Sequence, residues 1–179
     1  MTVRRYSRYG GTFANLELKI MEKVSINKNV KLSQHFSLGE LCKTSVKTAD
    51  GNIPSHVHIE NLKNLCENWL EDLRYSHNTL YGEQDEPIII TSGYRSPEVN
   101  KAVGGSPTSN HLTGCAVDIR CIGIEQAIRY ANILLDIADG TKRDYDELLI
   151  ERNAKGSYWI HFAVRPKDNR RRTKFISNA

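Results

Sequence analysis

The sequence predicts an α+β domain in which helices flank a small, mainly antiparallel sheet. Three observations carry this. Residues 56–75 and 124–138 place their apolar side chains at helical spacing. Two late apolar runs, 146–151 and 158–164, are separated by the short loop Arg152-Asn153-Ala154-Lys155-Gly156, which suits a hairpin. Strand and helix patterns alternate without a regular βαβ repeat, which argues against a parallel α/β sheet.

Each element follows from local chemistry. Ser37-Leu38-Gly39-Glu40 reads as a capping box that opens a short helix. A loop over 44–55 ends in Asn52-Ile53-Pro54. The helix over 56–75 buries Ile59, Leu62, Leu65, Cys66, Trp69, Leu70 and Leu73, and a polar loop over 76–86 follows. The β-branched run Pro87-Ile88-Ile89-Ile90-Thr91 predicts a strand covered on both faces. Ser92-Gly93-Tyr94-Arg95 is a turn. Ser96 and Pro97 then start a helix that Gly104-Gly105 ends. After an irregular loop over 106–114, residues 115–119 form a strand.

Composition and charge limit what the chain can be. With 179 residues, 39% hydrophobic and 26% charged, it has the make-up of one globular domain rather than a disordered or fibrous protein. The formal net charge of +4 is unevenly placed: +3 in residues 1–10 and +5 in residues 165–175 leave −4 for the body between them. This is not a basic groove for nucleic acid, and the run Arg170-Arg171-Arg172 lacks interleaved aromatics. No apolar stretch is long enough to span a membrane, and the first residues lack the apolar core of a secretory signal, so cytoplasmic synthesis is expected. Cys42, Cys66, Cys115 and Cys121 form no CxxC pair and read as buried, reduced thiols.

The chemistry concentrates in three residues. His111 lies in a Gly-containing loop, Asp118 sits seven positions on inside an apolar strand, and His161 sits inside a later strand. Two imidazoles and a carboxylate are a common ligand set for zinc with one open position. Asp118 in particular is costly in an apolar strand unless it is paired, with Arg95 or Arg120 for instance, or bound to a metal. His35, His56, His58 and His77 read as surface or cap residues.

Residues 91–119 contain Ser92-Gly93-Tyr94-Arg95-Ser96 and the pattern Ser109, His111, Gly114, Ala116, Asp118, and a late strand carries Trp159-Ile160-His161. Together these resemble the zinc D-alanyl-D-alanine carboxypeptidase family. That family includes vancomycin-resistance dipeptidases and phage endolysins and shares its fold with the hedgehog signalling domain. Leu32 through the long helix resembles the phage and prophage branch. The resemblance implies a domain over 32–166, with an N-terminal extension (1–31) and a basic C-terminal tail (167–179) that would contact an anionic wall. It implies one Zn²⁺ per chain, held by His111, Asp118 and His161, with Arg95 stabilising developing negative charge and Ser109 and Tyr94 facing substrate. The implied activity is hydrolysis of peptidoglycan stem peptides at or near a D-amino acid by a monomer with no nucleic-acid partner and no membrane insertion. The alternative is a non-catalytic, zinc-dependent binding module of the same fold.

One position departs from the family. The dipeptidases carry a Glu three residues before the last histidine, where this chain has Tyr158. Glu151 is the expected replacement as general base, with Glu147 a weaker candidate. Both share a sheet face with His161 only if residues paired across the hairpin sum to an even number.

Overall fold

The structure, a computed structural model, describes residues 27, 29–49, 51–81 and 85–177. The expected N-terminal extension lies almost wholly outside these residues. Helix α1 (Leu38–Leu41) begins at Ser37, whose side chain caps Glu40 N–H as the sequence implies. Helices α2 (His56–Leu65) and α3 (Glu71–Leu80) run through a single π-helical stretch, Cys66–Leu70. Strand β1 (Ile90–Ser92), helix α4 (Pro97–Ala102), a 3₁₀ turn (Asn110–Thr113) and β2 (Ala116–Cys121) follow. Helix α5 (Gly123–Thr141) leads to β3 (Glu147–Arg152), β4 (Tyr158–Ala163) and β5 (Arg172–Ser177).

Among the described residues the strands form one mixed sheet in the order β1-β2-β4-β3-β5. Every neighbouring pair is antiparallel except β3 with β5. The alternation of side chains divides the sheet cleanly. Val117, Ile119, Leu148, Ile160 and Phe162 face the helices and are fully buried. They meet Leu62, Leu65, Trp69, Leu70, Leu73 and Leu134, and the Trp69 ring stands 5.0 Å from that of Phe162. This apolar layer is the core. The opposite sheet face is left for chemistry. Cys42, Cys66, Cys115 and Cys121 are free thiols and all buried.

The structure departs from the sequence expectations in four places. The long helix continues to Leu80 rather than ending near 75, because His77 packs against Tyr130 and is 2% exposed instead of lying on the surface. The strand expected over 87–91 is shorter and sits at the sheet edge, so Ile88 and Ile90 are buried while Ile89 is exposed. Residues 172–177, expected within a basic tail, form the fifth strand. The arginines that lead into this strand are also not free: Arg170 pairs with Asp146, Arg171 with Asp139 and Asp144, and Arg172 with Glu147. No described helix is long and apolar enough to cross a membrane.

Candidate metal centre

Three strands and one turn converge to build the site. Asp118 on β2 pairs directly with His161 on β4, so their side chains rise from the same sheet face. His111 comes from the 3₁₀ turn that precedes β2. Ser109 caps that turn by accepting the His111 N–H at 3.3 Å. Gly114 closes it with φ +70, and a Cβ there would lie 2.4 Å from the His58 carbonyl oxygen, so the glycine is required on both counts. The turn thereby rests against helix α2.

The donor atoms lie close together. His111 Nε2 is 3.2 Å from Asp118 Oδ1 and 3.2 Å from His161 Nδ1, and His161 Nδ1 is 3.0 Å from the same carboxylate oxygen. All three residues are buried. Donors bonded at 2.0–2.1 Å to a tetrahedral zinc stand about 3.3 Å apart, so the spacing and the donor types both fit that ion. The far ring nitrogens are held as metal-bound histidines require. His111 Nδ1 donates to the Gly93 carbonyl at 2.6 Å, and His161 Nε2 faces Glu147 Oε2 at 3.6 Å.

A model of the peptidase M15 family matches residues 34–142. The chain belongs to the peptidase M15 family. No curated protein matches it. M15 members are zinc peptidases, and the His-Asp-His cluster supplies the ligand set such an enzyme needs. The matched residues take in Arg95, His111 and Asp118. In this M15 peptidase the third donor, His161, lies beyond the match and is brought in by sheet pairing.

Electrostatics around the cluster are strongly coupled. Burial pushes the Asp118 carboxyl up, but His111 and His161 outweigh it and hold the group well below the usual carboxylate range. Burial lowers His161, yet hydrogen bonding to Asp118 and Glu147 overrides this and raises it to about 9. Metal capture by this imidazole is therefore coupled to proton release. Arg95 binds the second Asp118 oxygen, while its Nε donates to Ser92 Oγ at 2.8 Å.

The hairpin register settles the parity condition on the two glutamates. Leu149 pairs with His161 and Glu151 with Trp159, so Glu147 and Glu151 both share the His161 face. Their environments differ. Glu147 is committed, since Arg172 Nη1 donates to it at 2.9 Å, Arg170 lies 3.1 Å away, and His161 holds its carboxyl below the usual value. The Glu151 side chain forms no hydrogen bond or ion pair among the described residues, and burial pushes its carboxyl up. Tyr158 stands three residues from His161 in a regular strand, so it points to the opposite face and packs against the core. No side chain at that position of β4 could reach the cluster from this backbone.

The cluster opens on a cleft of about 610 Å³ lined by Arg95, Ser109, Glu147, Glu151 and Trp159, with Arg170 and Arg172 at its edge. Tyr94, expected beside substrate, does not line this cleft. It is 6% exposed and stacked on His58 with ring centres 5.2 Å apart.

Sequence reading missed three supporting residues. Asn52 is buried, its amide donates to the Cys42 and Tyr94 carbonyls, and its Oδ1 accepts Ser96 N–H, which ties the loop before α2 to the Arg95 turn. Asp146 is fully buried, binding Asn110 Nδ2 at 2.8 Å and Arg170 Nε at 2.8 Å. It anchors the residue next to His111. Arg170 links Asp146 to Glu147 and so touches the supports of two donors. Asp146 leaves a sequence signal only as an acid opening an apolar strand, and Arg170 was hidden within a charge run.

Proposed function

We propose that this M15 peptidase is a zinc metallopeptidase that cleaves peptidoglycan stem peptides at or near a D-amino acid, either as a D-Ala-D-Ala carboxypeptidase or as a phage-type endopeptidase. One observation carries the proposal: the three converging donors share a cleft with a cationic donor, Arg95, and an uncommitted, half-buried carboxylate, Glu151. That is the equipment for hydrolysing an unactivated amide. The residue motifs that resemble the D-alanyl-D-alanine carboxypeptidases point to the substrate class.

When bound, zinc supplies Lewis acidity towards the scissile carbonyl and lowers the pKa of water. His111, Asp118 and His161 would hold it, with Glu147 and the Gly93 carbonyl orienting the two rings. Glu151 would accept the proton of the attacking water and return it to the leaving amine, a role favoured by a carboxyl raised towards the working pH. Arg95 would use the guanidinium that positions Asp118 to stabilise negative charge on the carbonyl oxygen. Ser109 would serve the same cleft while capping the His111 turn. The opposite-face placement of Tyr158 weakens the main support for a non-catalytic module, because the absent Glu at that position has a substitute on β3.

The test is incubation with purified peptidoglycan and with a D-Ala-D-Ala peptide. Product should form with zinc, disappear with a chelator and return when zinc is restored. No product from any peptide with zinc fully bound would refute the enzyme reading and favour the binding module.

A further inference from the structure

A second cavity of about 700 Å³ adjoins the catalytic cleft and shares Thr108, Ser109, Asn110 and Arg170 with it. Its lining has two components. One is apolar, formed by Val57 at the start of α2, Leu112 of the 3₁₀ turn and Pro166. The other carries Arg165, Lys167 and Arg170, and no acidic side chain lines the cavity. Two of these cations share one carboxylate: Asp146 lies 2.7 Å from Arg170 but 3.5 Å from Arg165, and it is itself fully buried behind them. Lys167 makes no ion pair or hydrogen bond among the described residues. Glu147 also pairs with Arg170 at 3.1 Å, so three cations face two acids, and Lys167 with the longer-range Arg165 leaves the cavity positively charged, beside a cleft whose face carries Asp118, Glu147 and Glu151.

We infer that this cavity is a substrate subsite for a carboxylate-bearing residue of the peptide, several bonds away from the one that is cut. A peptide whose scissile bond lies beside His111, Asp118 and His161 can run over Ser109 into the second cavity. There an anionic side group meets Arg165 and Lys167, and the aliphatic part of the same residue rests on Leu112 and Pro166. Charge complementarity selects this occupant: an apolar residue would leave the cations unanswered, and a basic one would be repelled. The assignment rests on the peptidase reading for the direction of the bound chain.

The probe is a fluorescein-labelled pentapeptide, L-Ala-D-γ-Glu-L-Lys-D-Ala-D-Ala, made with the glutamate α-carboxylate either free or amidated. Anisotropy titrations measure the affinity of each for the zinc-loaded full chain, and hydrolysis of each is followed separately. The free-carboxylate peptide should bind about tenfold tighter, the sum of two partly exposed ion pairs, and this preference should shrink in 1 M NaCl. In Arg165→Ala/Lys167→Ala the preference should fall to about twofold or less, while Lys63→Ala, a cation on the far end of α2, should keep it. Equal binding of the two peptides by the wild-type chain, or a preference unchanged in the double variant, would overturn the subsite. Binding with the stated preference but no hydrolysis would instead defeat the peptidase reading and leave the subsite standing. Circular dichroism and urea unfolding of the double variant confirm that a lost preference is not lost folding, and the single variant Lys167→Gln, which removes one exposed charge, should give an intermediate preference if folding is compromised in the double variant.

Discussion

Replacing Glu147 with Gln separates metal holding from chemistry. In the native site Glu147 Oε2 lies 3.6 Å from His161 Nε2, and its other oxygen receives Arg172 at 2.9 Å. When Nδ1 of His161 serves as a ligand, Nε2 must carry the proton, and the carboxylate fixes both the tautomer and the ring plane. The Gln variant keeps size and shape but withdraws the charge, and it leaves Arg170 and Arg172 facing a neutral amide. Loss of such an outer partner typically lowers metal affinity about 10- to 100-fold, or about 1.4–2.7 kcal/mol. The upper end is expected here because the Glu147 side chain is only 13% exposed, so solvent screens little of the charge. Competition against a chromophoric zinc chelator at neutral pH reads the affinity directly. With zinc saturating, turnover should remain within about threefold of wild type, because proton transfer is assigned to Glu151. A zinc affinity within twofold of wild type would refute the assignment of Glu147 as the orienting group. A collapse of turnover at saturating zinc would show that it, and not Glu151, is the base.

The other predictions bear on the base, the pH response and the turn. Glu151→Gln should still bind zinc with native affinity but lose at least about 100-fold in hydrolysis rate, and full activity with zinc bound would eliminate it. Because burial raises the Glu151 carboxyl, the acid limb of the wild-type pH–rate profile should lie above the ordinary glutamate range, and a limb below pH 4.5 would contradict this. Burial raises Asp146, but Arg170, Asn110 and Arg165 together hold it down to about 2 against a usual 3.8, so its stabilisation is full above pH 3.8 and is lost as pH falls through about 2. The contribution is about 2 kcal/mol, and urea unfolding between pH 5 and 2 should show a shallower pH dependence in Asp146→Asn. Gly114→Ala should destabilise the fold by more than the roughly 1–2 kcal/mol of a left-handed residue, since the new Cβ meets the His58 carbonyl, and zinc affinity should fall with it. An unchanged melting temperature would sink that account.

Much of the fold and the donor set was legible because local rules governed it. The helix over 56–75 showed its stripe, Ser96-Pro97 announced a helix start, and Asp118 stood out as a charge among apolar neighbours. What stayed hidden depends on pairing between distant segments. Strand β5 follows an arginine run and reads as part of a tail, and it becomes a strand only because β3 offers a free edge and the acids Asp146, Asp144 and Glu147 meet Arg170, Arg171 and Arg172 at its start. The sequence favours Glu151 over Glu147 by its place at the strand end, but the physical difference between them, that Arg170 and Arg172 engage only Glu147, depends on the distant segment at the start of β5. Helix α3 outran its predicted end because His77 finds a buried place against Tyr130, a tertiary gain that no local signal records.

The parallel pairing of β5 with β3 has a consequence for the order of events in folding. Asp146 and Glu147 find their arginines 24 and 25 residues further along the chain, and His161 reaches His111 across 50 residues. Contacts this distant in sequence form late, because a large loop must close before they stabilise anything. During synthesis, His111 and Asp118 leave the ribosome well before His161 and before Arg170 and Arg172. A nascent chain therefore offers only part of a ligand set for most of its time, and tight ion capture coincides with closure of the sheet.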